Sequence, residues 1–280
     1  MNSVFAGIVL FNPDLGLLQK NIQALIQQVP EIVCIDNASN NIKEIEAFLN
    51  KIGKVNLIKN TKNEGIAVAL NQLLAWGSER NYSWVLFMDQ DSVAELDIIK
   101  QYQSYMGNEK IAILCPKIID MNSDVNSSSV MDVSKETILR SDEVITSGSC
   151  VNVQKALEID GFDERLFIDF VDTDFNERCL RNGYQIIRIN TTKLSHQIGK
   201  IRVISILGWK VICTNHSAFR RYYMVRNRLY FRRKYFGRWA CLKERIRLLL
   251  GDAKILLFED EKRAKIFASI KGFRDYHKLL

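Results

Sequence analysis

The first ninety residues alternate between short, mostly apolar runs and stretches with helical spacing, a rhythm that few folds accept. The apolar runs are Ser3–Phe11, Glu31–Ile35, Val55–Ile58 and Trp84–Met88. Between them, Leu15–Gln28 repeats Leu17, Leu18, Ile22, Leu25 and Ile26 on one side, Ile42–Lys51 is helical, and Gly65–Arg80 gathers Ala67, Leu70, Leu73 and Leu74. Strands that are apolar at nearly every position, rather than alternating, must be covered on both faces. The pattern therefore predicts an α/β chain with a mostly parallel central sheet and helices on both sides. In such sheets ligands bind beyond the carboxyl ends of the strands. Those ends carry Asn12, Asp36, Asn63 just past the third strand, and Asp89 with Asp91.

The regular alternation then fades. Ile111–Ile119 reads as a strand, and Asn122–Ser134 as a polar, Ser-rich loop too long for a plain connector. Val144–Val153 is an apolar run broken by Thr146-Ser147-Gly148-Ser149. Asp174–Asn182 is predicted as a short helix and Tyr184–Ile189 as a strand. From about His216 the pattern is helical, rich in Arg and aromatics, with breaks expected near Gly237 and Gly251.

Composition fits a folded α/β body with a smaller appended segment. The chain has 280 residues, 47% of them hydrophobic, and only three Pro, which excludes a disordered or low-complexity class. The charge is uneven: residues 200–280 hold 21 Lys/Arg against 6 Asp/Glu, whereas the first 199 hold 18 against 26. A basic C-terminal third on an acidic body predicts an anionic partner. Arg220-Arg221-Tyr222-Tyr223, Arg226-Asn227-Arg228 and Arg232–Phe236 mix cations with aromatics, and Ile246–Leu250 and Ile255–Phe258 add apolar runs. That mixture suits peripheral attachment to an anionic membrane surface; the plainer alternative is a basic face packed on the body. Nucleic acid is not expected as a partner, since no recognition motif is present and the acidic clusters would have no use. No apolar run reaches the length of a membrane span: Ile201–Ile212 is short and carries Arg202 and Lys210. Six Cys without close pairs, and no secretion-type leader, lead to the expectation of reduced thiols in a cytoplasmic protein.

Two acidic clusters carry the chemistry. Asp89-Gln90-Asp91 follows the fourth strand directly, and carboxylates two residues apart around a turn can approach one hard divalent cation, Mg2+ or Mn2+. Such an ion assists a diphosphate leaving group. Ordinary turn chemistry also favours Asp there. The second cluster, Phe167-Ile168-Asp169-Phe170-Val171-Asp172-Thr173-Asp174, places three carboxylates in an apolar stretch. By itself it reads first as a helix start capped by Thr173 or Asp174, and second as a cleft holding one carboxylate as a base. His196, one of three His, follows a strand; a lone His is more often structural than a metal ligand.

Taken in order, these segments resemble the large inverting family-2 glycosyltransferases, whose fold is of the GT-A type, and most of all the bacterial rhamnosyltransferases of surface-polysaccharide (O-antigen) assembly. The resemblance runs from about Val4 to Leu229. Phe11-Asn12-Pro13 is similar to the end of the family's first nucleotide-contacting strand, and Cys34–Ser39 to the second, whose Asp contacts the base. Asn63-Glu64-Gly65 with Asn71 resembles the helix start beside the nucleotide, and Asp89-Gln90-Asp91 the metal-binding Asp-x-Asp. Thr146-Ser147-Gly148 resembles a motif lining the donor–acceptor cleft. Gly161-Phe162-Asp163-Glu164 and Val171-Asp172-Thr173-Asp174 resemble the acceptor-side motif, with Val171 where the family carries Glu. Tyr222-Tyr223 with Arg226-Asn227 resembles a segment of the rhamnosyl subgroup.

What the resemblance implies is specific. Asp172 is expected as the catalytic base. Asp89, Asp91 and His196 would hold the metal. Asn12, Asp36, Asn63, Gly65, Asp89, Ser147, Gly148 and Asp169 would bind the nucleotide-sugar, with dTDP-rhamnose the favoured donor. Arg226 and Arg228 are candidates for acceptor or diphosphate contact. The acceptor would be a lipid-linked or oligosaccharide hydroxyl, and the enzyme would sit peripherally on the cytoplasmic face of the inner membrane. Residues 1–214 are expected to form the GT-A catalytic domain and 215–280 a basic helical extension. Galactofuranosyl- and other hexosyltransferases using UDP-sugars share most of these residues. A sugar nucleotidyltransferase would want a Gly-rich basic loop after the first strand, and Asn12–Gly16 does not provide one.

Overall fold

The computed structural model describes residues 3–120, 135–196, 202–206, 209–213 and 215–280. The chain divides into two compact units: Met1–Glu164 with Asp172–Gln197, and Arg165–Val171 with Ile198–Leu280.

In chain order the first unit contains β1 (Val4–Leu10), α1 (Leu15–Leu25), β2 (Ile32–Asp36), α2 (Ile42–Leu49), β3 (Val55–Lys59), α3 (Ile66–Glu79), β4 (Trp84–Asp89), β5 (Val93–Ala94), α4 (Ile98–Gln103), β6 (Ile111–Asp120), β7 (Glu136–Ile138), β8 (Cys150–Asn152) and α5 (Val153–Glu158). It closes with α6 (Val171–Arg181), whose first residue belongs to the second unit, and β9 (Gln185–His196). The sheet order is β3-β2-β1-β4-β8-β6-β9-β5, with β7 also on β9. β3, β2, β1 and β4 are mutually parallel. β8 is antiparallel to both β4 and β6, so β6 points the same way as the first block, and β9 is parallel to β6. The sheet is thus mostly parallel, as the apolar strands require.

Small residues seat α3 on this sheet. A side chain at Gly7 of β1 would meet Leu73 at 2.6 Å, and one at Gly77 would meet Phe5 at 2.8 Å. Helix starts follow local chemistry: the Asp14 carboxylate accepts the Leu17 N–H at the head of α1, and the Asn152 carbonyl accepts the Lys155 N–H at the head of α5. The core gathers Ile8, Leu10, Leu18, Ile22, Ile32, Cys34, Trp84, Leu86 and Met88. Among the described residues, Cys34, Cys115, Cys150, Cys179 and Cys241 are free and buried. Burial pushes the thiols of Cys34, Cys115 and Cys179 up to about 12, away from the reactive thiolate.

The second unit contains the segment Arg165–Val171, the antiparallel hairpin β10 (Arg202–Ile206) and β11 (Trp209–Cys213), α7 (Ala218–Phe258) and α8 (Lys262–Asp275). α7 is interrupted at Gly237, whose φ of 81° no helix admits, where a break was expected. The second expected break, near Gly251, is absent: α7 runs through it and stops at Glu259. The cost of a mid-helix glycine is only about 1 kcal/mol, and this one leaves room for the Arg221 guanidinium, which bonds Asp252 at 2.7 Å.

Other expectations shift by a few residues. α6 begins at Val171 rather than Asp174, so Asp172 and Asp174 lie in its first turn and Asp174 is not its cap. The apolar run Val144–Val153 contributes only three strand residues before α5 starts at Val153. The predicted strand Tyr184–Ile189 is the first part of the twelve-residue β9. The loop Asn122–Ser134 lies outside the described residues.

Candidate active site

The carboxyl ends of β1, β2 and β4 bring most of the predicted donor-side residues to one edge of the first unit. At the end of β1, Asn12 takes a left-handed conformation with φ 49°. Its N–H donates to the Ser39 hydroxyl at 2.8 Å, and its side-chain carbonyl accepts the Asn40 N–H at 2.8 Å, so the loops after β1 and β2 are tied together. Asp36, at the end of β2, is 1% exposed. One carboxylate oxygen accepts the Ser39 N–H at 3.0 Å, while the other, Oδ1, has no hydrogen-bond partner among the described residues. An acceptor buried and left open is costly and is where a ligand N–H belongs.

Asn63 and Gly65 form the entry to α3. The Asn63 side chain accepts the Gly65 N–H at 2.9 Å, and Gly65 has φ 88°, a left-handed value suited to glycine. Asn37, which the sequence did not single out, secures this entry. It is buried, donates to the Gly65 carbonyl at 3.0 Å and accepts from Glu64 N–H and Asn60. An amide at the exit of a buried strand was the only signal available for it. Asn71 of α3 reaches the predicted acceptor-side motif, bonding both backbone groups of Phe162 and the Glu164 carboxylate.

Asp89 ends β4, and Gln90-Asp91 turn away from it. Three groups fix this turn. Gln90 accepts the Phe11 N–H at 2.8 Å and returns a bond to the Phe11 carbonyl at 3.3 Å. Asn21 donates to the Asp89 carbonyl at 2.7 Å. The Ser147 hydroxyl accepts the Asp89 N–H at 3.0 Å. Gln90 and Asn21 were not expected to take part; both are polar residues whose partners lie 68 to 79 positions away. Gly148 follows with φ 77°, its N–H on the Phe87 carbonyl at 2.8 Å and its carbonyl accepting the buried Tyr102 hydroxyl at 3.0 Å. The Asp91 carboxylate is half-buried and has no hydrogen-bond or ion-pair partner among the described residues. Two oxygen-bearing side chains on one turn, one of them uncommitted, fit a hard divalent cation that keeps water and phosphate as its remaining ligands. No group of three Asp, Glu, His or Cys side chains clusters among the described residues. The His196 imidazole lies outside them; the pairing Val93↔Ser195 brings the backbone end of β9 beside Ser92, next to Asp91.

The three carboxylates of the second cluster part company. Asp174 is fully buried and pairs with Arg178 at 2.9 Å, one helical turn on. Arg178 also donates to the Ile159 carbonyl. Asp172 accepts the Thr173 N–H at 2.8 Å and lines a small pocket with Phe87, Thr146, Phe162 and Phe175. Phe87 is two residues before Asp89, and Thr146 is next to Ser147. Asp172 therefore shares the carboxyl end of β4 with the Asp89 turn. Asp169 belongs to the second unit, where Arg220 grips its carboxylate through two nitrogens at 3.0 and 3.2 Å.

The arginines named from sequence are also committed in the second unit. Arg226 donates to the carbonyls of Arg165 and Leu166 at 2.7 and 3.2 Å and lies over the Tyr223 ring at 4.7 Å. Arg228 pairs with the buried Glu244 at 2.6 Å. Between them in sequence, Asn227 is fully buried and donates to the carbonyls of Leu166, Ile168 and Asp169, each at 2.8 Å. These bonds brace a contorted segment, since Phe167, Asp169 and Phe170 all have φ between 62° and 66°.

Comparison with known proteins bears on the family and the fold. The family model "Glycosyl transferase family 2" matches residues 6–150. The chain is 33% identical over 297 residues to a dTDP-rhamnosyl transferase RfbF of Shigella flexneri, an alignment that covers 98% of this chain and 97% of that one. Among solved structures, S. aureus TarS 1-349 in complex with UDP aligns at TM-score 0.55 and 15% identity, over 70% of this chain and 61% of TarS. GalNAc-T7 with UDP, GalNAc and Mn2+ aligns at TM-score 0.65 and 13% identity, over 99% of this chain and 56% of that one. The chain thus spans less than two thirds of these two solved structures, which share its fold. With a family model across half its length and a curated relative across nearly all of it, the chain belongs to glycosyl transferase family 2.

Proposed function

We propose that this glycosyltransferase moves L-rhamnose from dTDP-rhamnose onto a hydroxyl of a lipid-linked oligosaccharide in bacterial O-antigen synthesis, with inversion at the anomeric carbon. The donor assignment is supported by the dTDP-rhamnosyl transferase relative, aligned over nearly the whole chain. The observation that carries the reaction type is the position of Asp172, grouped with Phe87 and Thr146 at the strand end where Ser147 holds Asp89. Asp172 takes the proton of the acceptor hydroxyl as general base. The acceptor oxygen bonds to the anomeric carbon as the bond to the diphosphate breaks on the opposite side. No enzyme nucleophile intervenes, so the configuration inverts.

On the donor side, the open Asp36 Oδ1 accepts a base N–H, Asn12 and the Asn63–Gly65 entry to α3 flank the nucleotide, and Ser147-Gly148 line the diphosphate side with Asp89. Asp89, Asp91 and His196 would hold Mg2+ or Mn2+, which when bound neutralises charge growing on the departing diphosphate. The Mn2+ in the GalNAc-T7 structure supports a divalent ion in this fold. We assign residues 1–214 to the catalytic domain and 215–280 to a basic helical extension. Among the described residues no helix is long and apolar enough to cross a membrane. We place the enzyme peripherally on the cytoplasmic face of the inner membrane, on the strength of the basic C-terminal third.

A donor screen that measures release of nucleoside diphosphate tests this reading. The highest kcat/KM is expected with dTDP-rhamnose, and a chelator should abolish release. Turnover with UDP-hexoses alone would replace the rhamnosyl assignment by that of a UDP-dependent hexosyl- or galactofuranosyltransferase. The UDP found in the TarS and GalNAc-T7 structures is what favours that second reading.

A further inference from the structure

The cations that the sequence offers to a membrane are largely spent inside the C-terminal unit. Arg220 holds Asp169, Arg221 holds Asp252, Arg226 holds two carbonyls, and Arg228 and Arg232 both face Glu244. Beyond Gly237 the situation is different. At 100° per residue, Trp239, Leu242, Ile246, Leu249, Leu250 and Leu257 fall within an arc of about 100° on α7. All six are exposed, Trp239 by 78%, Leu250 by 68% and Leu257 by 67%. The opposite side of the same helix, Cys241, Glu244, Leu248, Asp252 and Ile255, is buried. This segment is therefore apolar on two opposite sides, and only one of them packs within the protein.

The charges decide what covers the other. Arg238 and Arg245 border the exposed stripe on one edge, Lys243 and Arg247 on the other; all four are exposed, and of them Arg247 also reaches Glu244 at 3.4 Å. The segment's two acidic residues, Glu244 and Asp252, both lie on the buried side, where arginines hold them. A second copy docking by this face would bring rows of cations together with no carboxylate to pair them. An anionic bilayer supplies both of the missing partners, acyl chains for the stripe and headgroup phosphates for its edges.

We propose that the second half of α7, from Arg238 to Phe258, lies flat in the headgroup plane of an anionic bilayer with the Trp239–Leu257 stripe inserted. This refines the peripheral attachment proposed above by narrowing the contact to the part of α7 after Gly237. α8 carries a matching pair, Phe267 and Ile270, exposed by 70% and 61% beside Lys271.

The test is flotation of the full chain with phosphatidylcholine vesicles, with and without one third phosphatidylglycerol. Wild type should float only with the anionic vesicles and show a blue shift in tryptophan emission that Trp239→Phe removes. Ile246→Glu/Leu250→Glu should weaken binding more than tenfold, and Arg238→Gln/Arg245→Gln by roughly tenfold. Both variants should keep wild-type circular dichroism and wild-type transfer to a water-soluble acceptor. Binding of Ile246→Glu/Leu250→Glu equal to wild type would overturn the proposal, as would a wild type that ignores anionic vesicles. A dimer in solution that the double variant dissociates, without vesicle binding, would assign the face to a second copy instead. A chain that binds vesicles but turns over no donor would leave this inference standing and remove the transferase reading.

Discussion

Ser147 and Gly148 are neighbours with separate tasks. The Ser147 hydroxyl accepts the Asp89 N–H, and Gly148 lets the chain turn back under it at φ 77°. A β-carbon at Gly148 would stand 2.8 Å from the Pro116 ring and 3.1 Å from Leu194. Proline cannot yield as a flexible side chain would, and the backbone angle is itself unfavourable for alanine. Gly148→Ala should therefore cost about 2–4 kcal/mol in denaturant unfolding, with a larger proportional loss of transfer, because Ser147 is displaced from Asp89. A variant with wild-type stability would show that the turn is looser than described. The glycine and serine could be read from the sequence as a break in an apolar run; that they support the Asp89 turn could not, because the partners are 58 residues apart. The same limit applies to the acidic cluster. Asp169, Asp172 and Asp174 look alike in sequence, and only their partners separate them. Arg178, four residues beyond Asp174, was the one partner that helical spacing alone could have supplied. Arg220 is 51 positions from Asp169.

Among the elements, the segment Arg165–Val171 carries the most stored strain. Left-handed backbone costs a bulky residue roughly 1–2 kcal/mol, and Phe167, Asp169 and Phe170 each adopt it. The compensation comes from α7. Asn227 bonds three carbonyls, Phe167 stacks on Tyr223 at 5.1 Å, and Phe170 meets Phe231 at 5.6 Å. Asn227→Ala should take this donor from the Ile168 and Asp169 carbonyls, while Leu166 keeps Arg226, and destabilise the C-terminal unit by about 2–4 kcal/mol, measured by chemical denaturation. Hydrogen exchange should rise first in residues 165–171; unchanged protection there would mean that the aromatic contacts suffice. The segment reads as an apolar loop in the sequence, because nothing local signals a brace from sixty residues downstream. The alternation of β1 to β4 with α1 to α3 was legible because each element is long and uniform. β5, β7 and α4 escaped because two to six residues carry no periodicity. The basic and apolar runs from Arg220 to Phe258 were read together as one membrane-facing stretch, since composition does not reveal which cations already have partners.

At the scale of the whole molecule, charge is unevenly placed along the chain, and so is sensitivity to acid. Asp275, at the end of α8, is buried beside Lys278 at 2.9 Å, with Arg274 and the Tyr222 hydroxyl also on it. The Lys278 ammonium foremost, then Arg274 and Tyr222, hold its carboxyl down at about 2. A carboxyl lowered by folding stabilises fully above its ordinary value, near 4, and loses that contribution as pH falls towards 2. Because both cations are exposed, the contribution is on the order of 1 kcal/mol. Asp275→Asn should be less stable than wild type at neutral pH and should converge with it near pH 2 in thermal melts; parallel melting curves at every pH would refute the pairing. This is a property of the C-terminal unit alone.

In the other unit, Asp172 is the proposed base at the carboxyl end of β4. Asp172→Asn keeps the shape of the side chain and removes its capacity to take a proton. With donor and acceptor supplied, kcat should fall by roughly 10²–10⁴ while the Kd for the donor nucleotide-sugar, measured by calorimetry, stays within about twofold of wild type. Turnover close to wild type in that variant would contradict the account.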